Sequence, residues 1–342
     1  MLKKTFLYTL VIAPLFALTL IAGTVYFLYQ VKYEGPEVVF TVKKGETFGQ
    51  VNARLAREKI ISNPRLFHWL ARYKGQMEKL RAGPFLIPSQ SKMEDVLNVL
   101  IFSQPMLLSV TIPEGRNMYQ VAEILSQAGF GSASDYLTLM KDESFVRSQG
   151  VEGPTLEGYL FPETYKFVPD TNPKDILVSM VQLFRKKVGS LTEGHPFLNP
   201  TQVITLASVV EKETGAKWER PQIASVFTNR LRKKMRLESD PTTIYGIWER
   251  YQGNIKKSDL LELTPYNTYK IPALPLGPIC NPSLEAIQAV MKPDQTEYFF
   301  FVSKNDGTHV FTRNYKEHLQ AVEEWQKNRN NRDGKSWRNL KQ

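Results

Sequence analysis

No charge occurs between Lys4 and Lys32, where the chain reads TFLYTLVIAPLFALTLIAGTVYFLYQV. A helix needs about 20 apolar residues to cross a hydrocarbon core about 30 Å thick, so residues 5–31 are expected to form a transmembrane helix. A cleaved secretory signal has an apolar stretch of only about 7–15 residues that ends at small residues. Here Ala22-Gly23 is followed by more apolar sequence, which favours an uncleaved anchor. Lys3 and Lys4 precede the stretch, and Glu34 and Glu37 follow it. By the positive-inside rule, residues 1–4 are expected in the cytoplasm and the rest of the chain on the periplasmic or extracytoplasmic side of the inner membrane. Tyr26, Phe27 and Tyr29 suit an interfacial aromatic belt.

After the apolar stretch the periodicity shortens. FTVKKGETFGQ at 40–50 reads as a strand, a turn at Gly45 and a helix cap at Thr47. Val51, Leu55 and Ile60 then recur at near-helical spacing, a second helical stretch covers 66–73, and LRAGPFLIP returns as a strand. Residues 38–102 are thus expected to form a small β-α-α-β module. TIPEGRNMYQVAEILSQAGF repeats the design seventy residues on: Gly45 matches Gly115, Gln50 matches Gln120, Val51 matches Val121 and Leu55 matches Leu125. Two copies are too few for a solenoid. Pro105 marks a boundary, after which 107–326 is expected to form the larger α+β domain and 327–342 a basic tail. The fold class expected is therefore α+β throughout.

NPTQVITLASVVEKETG from Asn199 carries the clearest helix signals: Asn199 as N-cap, Pro200 in the first turn and Gly215 as the stop. With Val203 at zero on a wheel of about 100° per residue, Leu206, Ala207, Val210 and Thr214 cluster near it, and Glu211 falls at about 80°, inside the apolar arc. Lys212 points away and Glu213 sits at the other margin. A carboxyl on an apolar face needs a partner or a purpose. Desolvation disfavours its charged form, the property a general acid requires; an ion pair with a nearby Arg or Lys is the structural alternative.

Composition narrows the partners. The 342 residues carry 44 Lys plus Arg against 34 Asp plus Glu, a formal charge of +10, which suits an anionic partner; the membrane segment makes nucleic acid a poor candidate. Cys280 is the single cysteine, so no internal disulfide forms, and it reads as a small buried hydrophobe. The four histidines lack metal-ligand spacing, and no metal or other cofactor is expected. His309 reads as structural, and Tyr298–Val302 as a buried strand.

Three segments rich in Tyr, Asn, Thr and acids among turn residues are plausible cleft walls: TLEGYLFPETY at 155–165, ESDPTTIYG at 238–246 and TPYNTYKIPALPLGPICNP at 264–282. V-x-x-G-E-T at Val42–Thr47 and L-x-x-G-x-x-L-I-P at Leu80–Pro88 resemble the LysM glycan-binding module. LEGYLFPETY, ASVVEKET, NRL followed by SDPTTIYG, PYNTY, LPLGPICNP and YFFFVSKNDGTHVFT, in this order, closely resemble the membrane-bound endolytic murein transglycosylases, the YceG-like family.

That resemblance implies cleavage of MurNAc-GlcNAc bonds within peptidoglycan strands to leave 1,6-anhydro-MurNAc ends, terminating nascent glycan elongation. It places the catalytic acid/base at Glu211. Substrate contacts are expected from Asp240, Thr242, Tyr266 and Asn267, then Glu157 and Glu163. Peptidoglycan, the cytoplasmic membrane and peptidoglycan synthases are the expected partners. Glu238 departs from the Gln expected there. Two alternatives remain open: a water-using muramidase pairing Glu211 with Glu213 or Asp240, and a non-catalytic wall-binding scaffold for synthesis enzymes.

Overall fold

The computed structural model describes residues 14–26, 30–169, 171–213 and 215–332. The expected cytoplasmic residues 1–4, parts of the expected membrane segment (5–13 and 27–29), Thr214 and most of the basic tail lie outside them. Residues 14–26 are helical. Among the described residues no helix is long and apolar enough to cross a membrane. The chain is mixed, 51% helix and 9% strand, in keeping with the α+β expectation. Among the described residues there are three two-stranded sheets: β1 (Val38–Val42) with β2 (Gly83–Ile87), β3 (Leu108–Thr111) with β4 (Thr164–Phe167), and β5 (Phe300–Ser303) with β6 (His309–Thr312). Contacts divide it into one compact unit of Met1–Leu108 with Lys166–Pro169 and another of Ser109–Tyr165 with Asp170–Gln342.

In the first unit β1 and β2 pair antiparallel, Val38 opposite Ile87 and Val42 opposite Gly83. Between them run α1 (Phe48–Arg57) and α2 (Pro64–Tyr73), and α3 (Met93–Phe102) follows. Each helix begins where its side chains satisfy free amides. Thr47 and Gln50 form a reciprocal capping box on α1. Asn63 caps α2, with Pro64 in its first turn. Phe40, Val51, Leu55, Phe67, Phe85, Leu97 and Leu100 close the core, each a period-2 or period-3.6 inward position of its element.

The second unit opens with the repeated design. β3 leads through Gly115 to α4 (Met118–Gln127), whose Asn117 and Gln120 form the same capping box. Gly45 and Gly115 share a positive φ, 81° and 71°, the left-handed conformation that glycine adopts without steric penalty. Then come α5 (Ala133–Lys141), α6 (Glu143–Ser148), α7 (Pro173–Val188), α8 (Pro200–Glu213), α9 (Arg220–Arg232), α10 (Asp240–Gly246), α11 (Lys257–Leu261) and α12 (Leu284–Met291). The strands β5 and β6 and α13 (Tyr315–Val322) follow, with a π-helical turn at Glu323–Lys327 and a short α14 (Arg329–Arg332) after them. α8 lies at the centre, buried from Val203 to Val210 and packed on α9 and α12. Its start follows the Asn199 cap: the Gln202 amide donates to Asn199 Oδ1 at 2.9 Å and the Asn199 amide to Gln202 Oε1 at 3.0 Å. Cys280 is buried against the Ser208 carbonyl at 3.3 Å.

Phe300 and Phe301 differ from the expectation of a wholly buried strand. Both are half-buried, and only Val302 of β5 is fully enclosed, because the ribbon has only two strands and residues of both its faces line the cleft described next. Tyr298 and Phe299, expected in the same strand, precede it and are half-buried.

Candidate active site

α8 is buried from Val203 to Val210, and its last turn brings Glu211, Lys212 and Glu213 out of the core to the edge of an open space. That space is a cleft of about 870 Å³ whose walls include Glu114, Glu211, Glu213, Arg220, Asp240 and His309. Side chains two apart leave a helix on opposite flanks, and the cleft wraps the C-terminal end of α8 far enough to touch both glutamates.

On one flank Glu211 has its carboxyl fixed at both oxygens. Arg220 Nη2 donates to Oε1 at 2.7 Å, and the Ser283 amide, at 3.0 Å, and the Ser283 hydroxyl both donate to Oε2. The side chains of Arg220 and Glu211 are 5% and 7% exposed. The carboxyl is thus not left alone on an apolar face, as the wheel suggested. The ion pair weighed as the structural alternative is present, and it sits on the wall of the cleft. Gly115, in the turn of the second repeat, lies beside it: a Cβ there would fall 3.5 Å from Glu211 Cγ. Behind Arg220, Glu219 holds His309 through Nδ1 at 2.7 Å and through its amide at 3.0 Å, which fits a structural histidine.

On the other flank Glu213 accepts from the Ser239 hydroxyl. Burial pushes its carboxyl up to about 7, with the nearby Asp240 charge adding to the effect and the Ser239 bond and Arg230 opposing it. Asp240, exposed at the start of α10, accepts from the Tyr269 hydroxyl at 2.7 Å.

Of the six residues expected to contact substrate, Asp240 is the one that lines this cleft. Tyr266 is half-buried, edge-on to Tyr245 with ring centroids 4.7 Å apart. Glu163 is exposed and its carboxylate accepts from the Thr164 amide at 3.0 Å. The other three are interior. Thr242 is fully buried and donates to the Ser239 carbonyl at 2.6 Å. Asn267, also fully buried, donates to the carbonyls of Asp259, Leu260 and Glu262 and accepts from Thr243. Glu157 is 1% exposed and accepts from the Met118 amide at 2.8 Å; burial pushes it up to about 8. As placed, these three fasten loops in the interior and do not line this cleft. Polar loops packed against a core must satisfy their own backbone groups, and side chains spent on that task look in sequence like cleft residues.

The fastening residue that composition did not single out is Asn281. Its Oδ1 accepts from the amides of Gly158 and Leu160 at 3.0 and 2.9 Å, and its Nδ2 donates to the Arg116 carbonyl at 2.9 Å. It therefore ties the loop of Gly158 and Leu160 and the turn at Arg116 to its own segment, which leads to Ser283 on Glu211. Its signal was its setting, a lone amide inside an apolar, proline-rich motif.

Among the described residues no cluster of His, Cys, Asp and Glu is arranged to hold a metal ion. The fold and site together define an α+β protein with a paired glutamate on the wall of an open cleft. Residues 40–324 match the YceG-like family, and the chain belongs to that family. It is 30% identical over 315 residues to a Bacillus subtilis protein named endolytic murein transglycosylase, with 86% of each chain covered. Proteins of the same name from two Streptococcus pneumoniae strains are 27% identical over 84% of this chain, which spans 58% of their length. The crystal structure of a yceG-like protein from Listeria monocytogenes superposes with a TM-score of 0.58 at 26% identity, over 83% of this chain and 98% of that one.

Proposed function

We propose that the chain is a peptidoglycan lytic transglycosylase, cleaving MurNAc-GlcNAc bonds within glycan strands, with Glu211 as its acid/base. The observation that carries this reading is the position of Glu211: the carboxyl that the family motif marks is held at both oxygens on the wall of a cleft large enough for several sugar rings. The names of the relatives support the substrate class.

In this mechanism Glu211 protonates the oxygen that links the two sugars, and that oxygen leaves with the bonding pair. The carboxylate then takes the proton of the muramoyl C6 hydroxyl as O6 bonds to C1. A 1,6-anhydro end forms and no water is consumed. Because the nucleophile belongs to the substrate, one carboxyl suffices, unlike the two-carboxylate arrangement of conventional glycosidases. Arg220 occupies Oε1, so proton delivery from that oxygen requires the guanidinium to yield it to the substrate, while Ser283 keeps Oε2 in place. Asp240, on the far flank, is positioned for a sugar hydroxyl.

A second reading is favoured by one observation: Glu213, raised to about 7, also lines the cleft and could serve as the acid of a water-using muramidase. The products separate the two. Purified glycan strands incubated with the protein should yield anhydro-muramoyl ends, lighter than reducing ends by the mass of one water; a ladder of reducing ends would transfer the assignment to the muramidase.

We further propose that residues 5–31 anchor the protein in the cytoplasmic membrane with both units outside the cytoplasm. The helix at 14–26 presents Leu15, Phe16, Leu18, Leu20 and Ile21 outward, as lipid contact requires. The β-α-α-β order of the first unit supports a LysM-like, glycan-holding role. Cutting nascent strands at the membrane surface would terminate their elongation, with the synthases as natural partners.

A further inference from the structure

In the first unit an aromatic and basic face lies close to the point where the N-terminal segment joins. On α2 the residues Arg65, Trp69, Arg72 and Tyr73 fall within an arc of about 100° on the side opposite the core. All four are exposed. Trp69 and Tyr73 are 51% and 75% exposed, and their rings stack with centroids 5.3 Å apart and planes 9° from parallel. Two large rings left in the open are unusual beside a core that has already taken Phe67, Leu70 and Ala71 from the same helix. Among the described residues neither Arg65 nor Arg72 forms an ion pair, whereas the neighbouring Lys74 is paired with Glu94.

That ion pair locates the face. It joins the end of α2 to the start of α3, where the chain leaving the N-terminal segment is pinned. Lys32 bridges Lys92, the Tyr33 amide donates to the Ser91 carbonyl at 2.8 Å, and the Gln90 amide donates to the Tyr33 carbonyl at 2.9 Å. Asp95 is committed to capping α3 through the Lys92 amide at 2.9 Å. The aromatic end of α2 therefore lies next to the junction, with Lys32 and Lys92 at the same place.

We propose that this face of α2 rests on the membrane surface, its aromatic pair at the headgroup level and its cations on anionic phospholipid. This deepens the anchor reading of residues 5–31 and rests on it. Trp and Tyr favour the interface because one edge of the ring is apolar and the other polar. Basic side chains beside a membrane segment gain from the negative surface potential, which decays within a Debye length, about 8–10 Å at ordinary salt. The contacts that run from Lys32 through Lys92 to Glu94 and Lys74 bring the aromatic end of α2 to the anchor's junction. The consequence is that the first unit is held against the bilayer instead of swinging from its tether, so that any glycan it holds is taken close to the membrane.

The test uses the full chain in nanodiscs, with a fluorescent label at Tyr73→Cys and, as a control on the same unit, at Arg57→Cys, which is exposed on α1. Cys280 is buried and stays unlabelled. In discs of phosphatidylglycerol with phosphatidylcholine, nitroxide-bearing lipids should quench the Tyr73 label at least about threefold more than the Arg57 label. The excess should fall at least about twofold in pure phosphatidylcholine, in high salt, or with Arg65→Gln and Arg72→Gln together. Equal quenching of the two labels overturns the proposal. So does a Tyr73 label that ignores lipid and responds only to added glycan strands, which would make the aromatic pair a sugar platform. Failure of the anchor reading is seen separately, as a chain that washes off the discs in alkaline carbonate.

Discussion

Arg220 Nη2 lies 2.7 Å from Glu211 Oε1, and both side chains are more than nine-tenths shielded from solvent. Breaking a buried pair by removing one partner leaves an uncompensated charge, which typically costs about 3–5 kcal/mol. Arg220→Met should therefore lower the melting temperature clearly and abolish release of anhydro ends. Arg220→Lys keeps a charge but not the guanidinium plane, and should recover stability better than activity. Thermal unfolding paired with a glycan-release assay reads both. An Arg220→Met protein as stable as wild type would show that the pair is not the support described.

Glu211→Gln keeps the shape of the side chain, but its single carbonyl oxygen can accept from Ser283 or from Arg220 and not from both, so thermal unfolding must accompany the assay to show that the fold persists. Loss of general acid–base help should cut glycan release by about 10²–10⁴. Ser283→Ala removes one of the two Ser283 donors to Oε2 and should slow release by about 10- to 150-fold, in line with the roughly 1.5–3 kcal/mol of a hydrogen bond to a charged group. Normal release by Glu211→Gln would remove this residue from the mechanism.

The chain's own residues announced part of this site. The Asn199 cap and the inward stripe from Val203 placed α8 and brought its last turn out of the core, and the two glycine turns at Gly45 and Gly115 were readable as one design used twice. Neither feature depends on distant partners. What depends on them was hidden. The pairing of Glu211 with Arg220 requires the chain to reverse between α8 and α9, and a helical wheel holds no information about that reversal. Thr242 and Asn267 looked like cleft residues because a polar side chain in a loop reads the same whether it faces a sugar or its own backbone. Phe300 and Phe301 looked enclosed because an apolar run does not disclose that its ribbon has only two strands.

Stability should depend on pH through the buried carboxyl of Glu157. Its ordinary value of 4.5 rises to about 8 in the folded protein, so between those values the folded state binds more protons than the unfolded one. Stability is then full below about 4.5 and falls as pH rises through 8, by about 1.4 kcal/mol for each unit of displacement over which the two states differ. Glu213, raised to about 7, acts in the same direction. Melting temperature measured at pH 5, 7 and 8.5 should decline for wild type and decline less for Glu157→Gln. Parallel curves would mean that Glu157 does not carry the effect.

Asn281 offers the sharpest separation of loop fastening from chemistry. Its amide satisfies two buried N–H groups, those of Gly158 and Leu160, and one carbonyl, that of Arg116. Each such group left unsatisfied costs about 1–3 kcal/mol, so Asn281→Ala should lose several kcal/mol, at about 2–4 °C of melting temperature per kcal/mol for a unit of this size. Activity should fall with it, because the turn that holds Arg116 places Gly115 against Glu211. Asn281→Asp is the informative variant. It keeps the oxygen that the two amides need, but exchanges Nδ2, 3.3 Å from Glu157 Oε1, for a second carboxyl oxygen. At pH 5, where Glu157 carries its proton, the variant should lose only the bond to the Arg116 carbonyl, about 1–3 kcal/mol. As pH rises toward 8 the two carboxyls come to oppose each other across that gap, and the variant should lose stability and anhydro-end release together, more steeply than wild type. An Asn281→Asp protein with a flat pH response would show that Glu157 and Asn281 are not coupled.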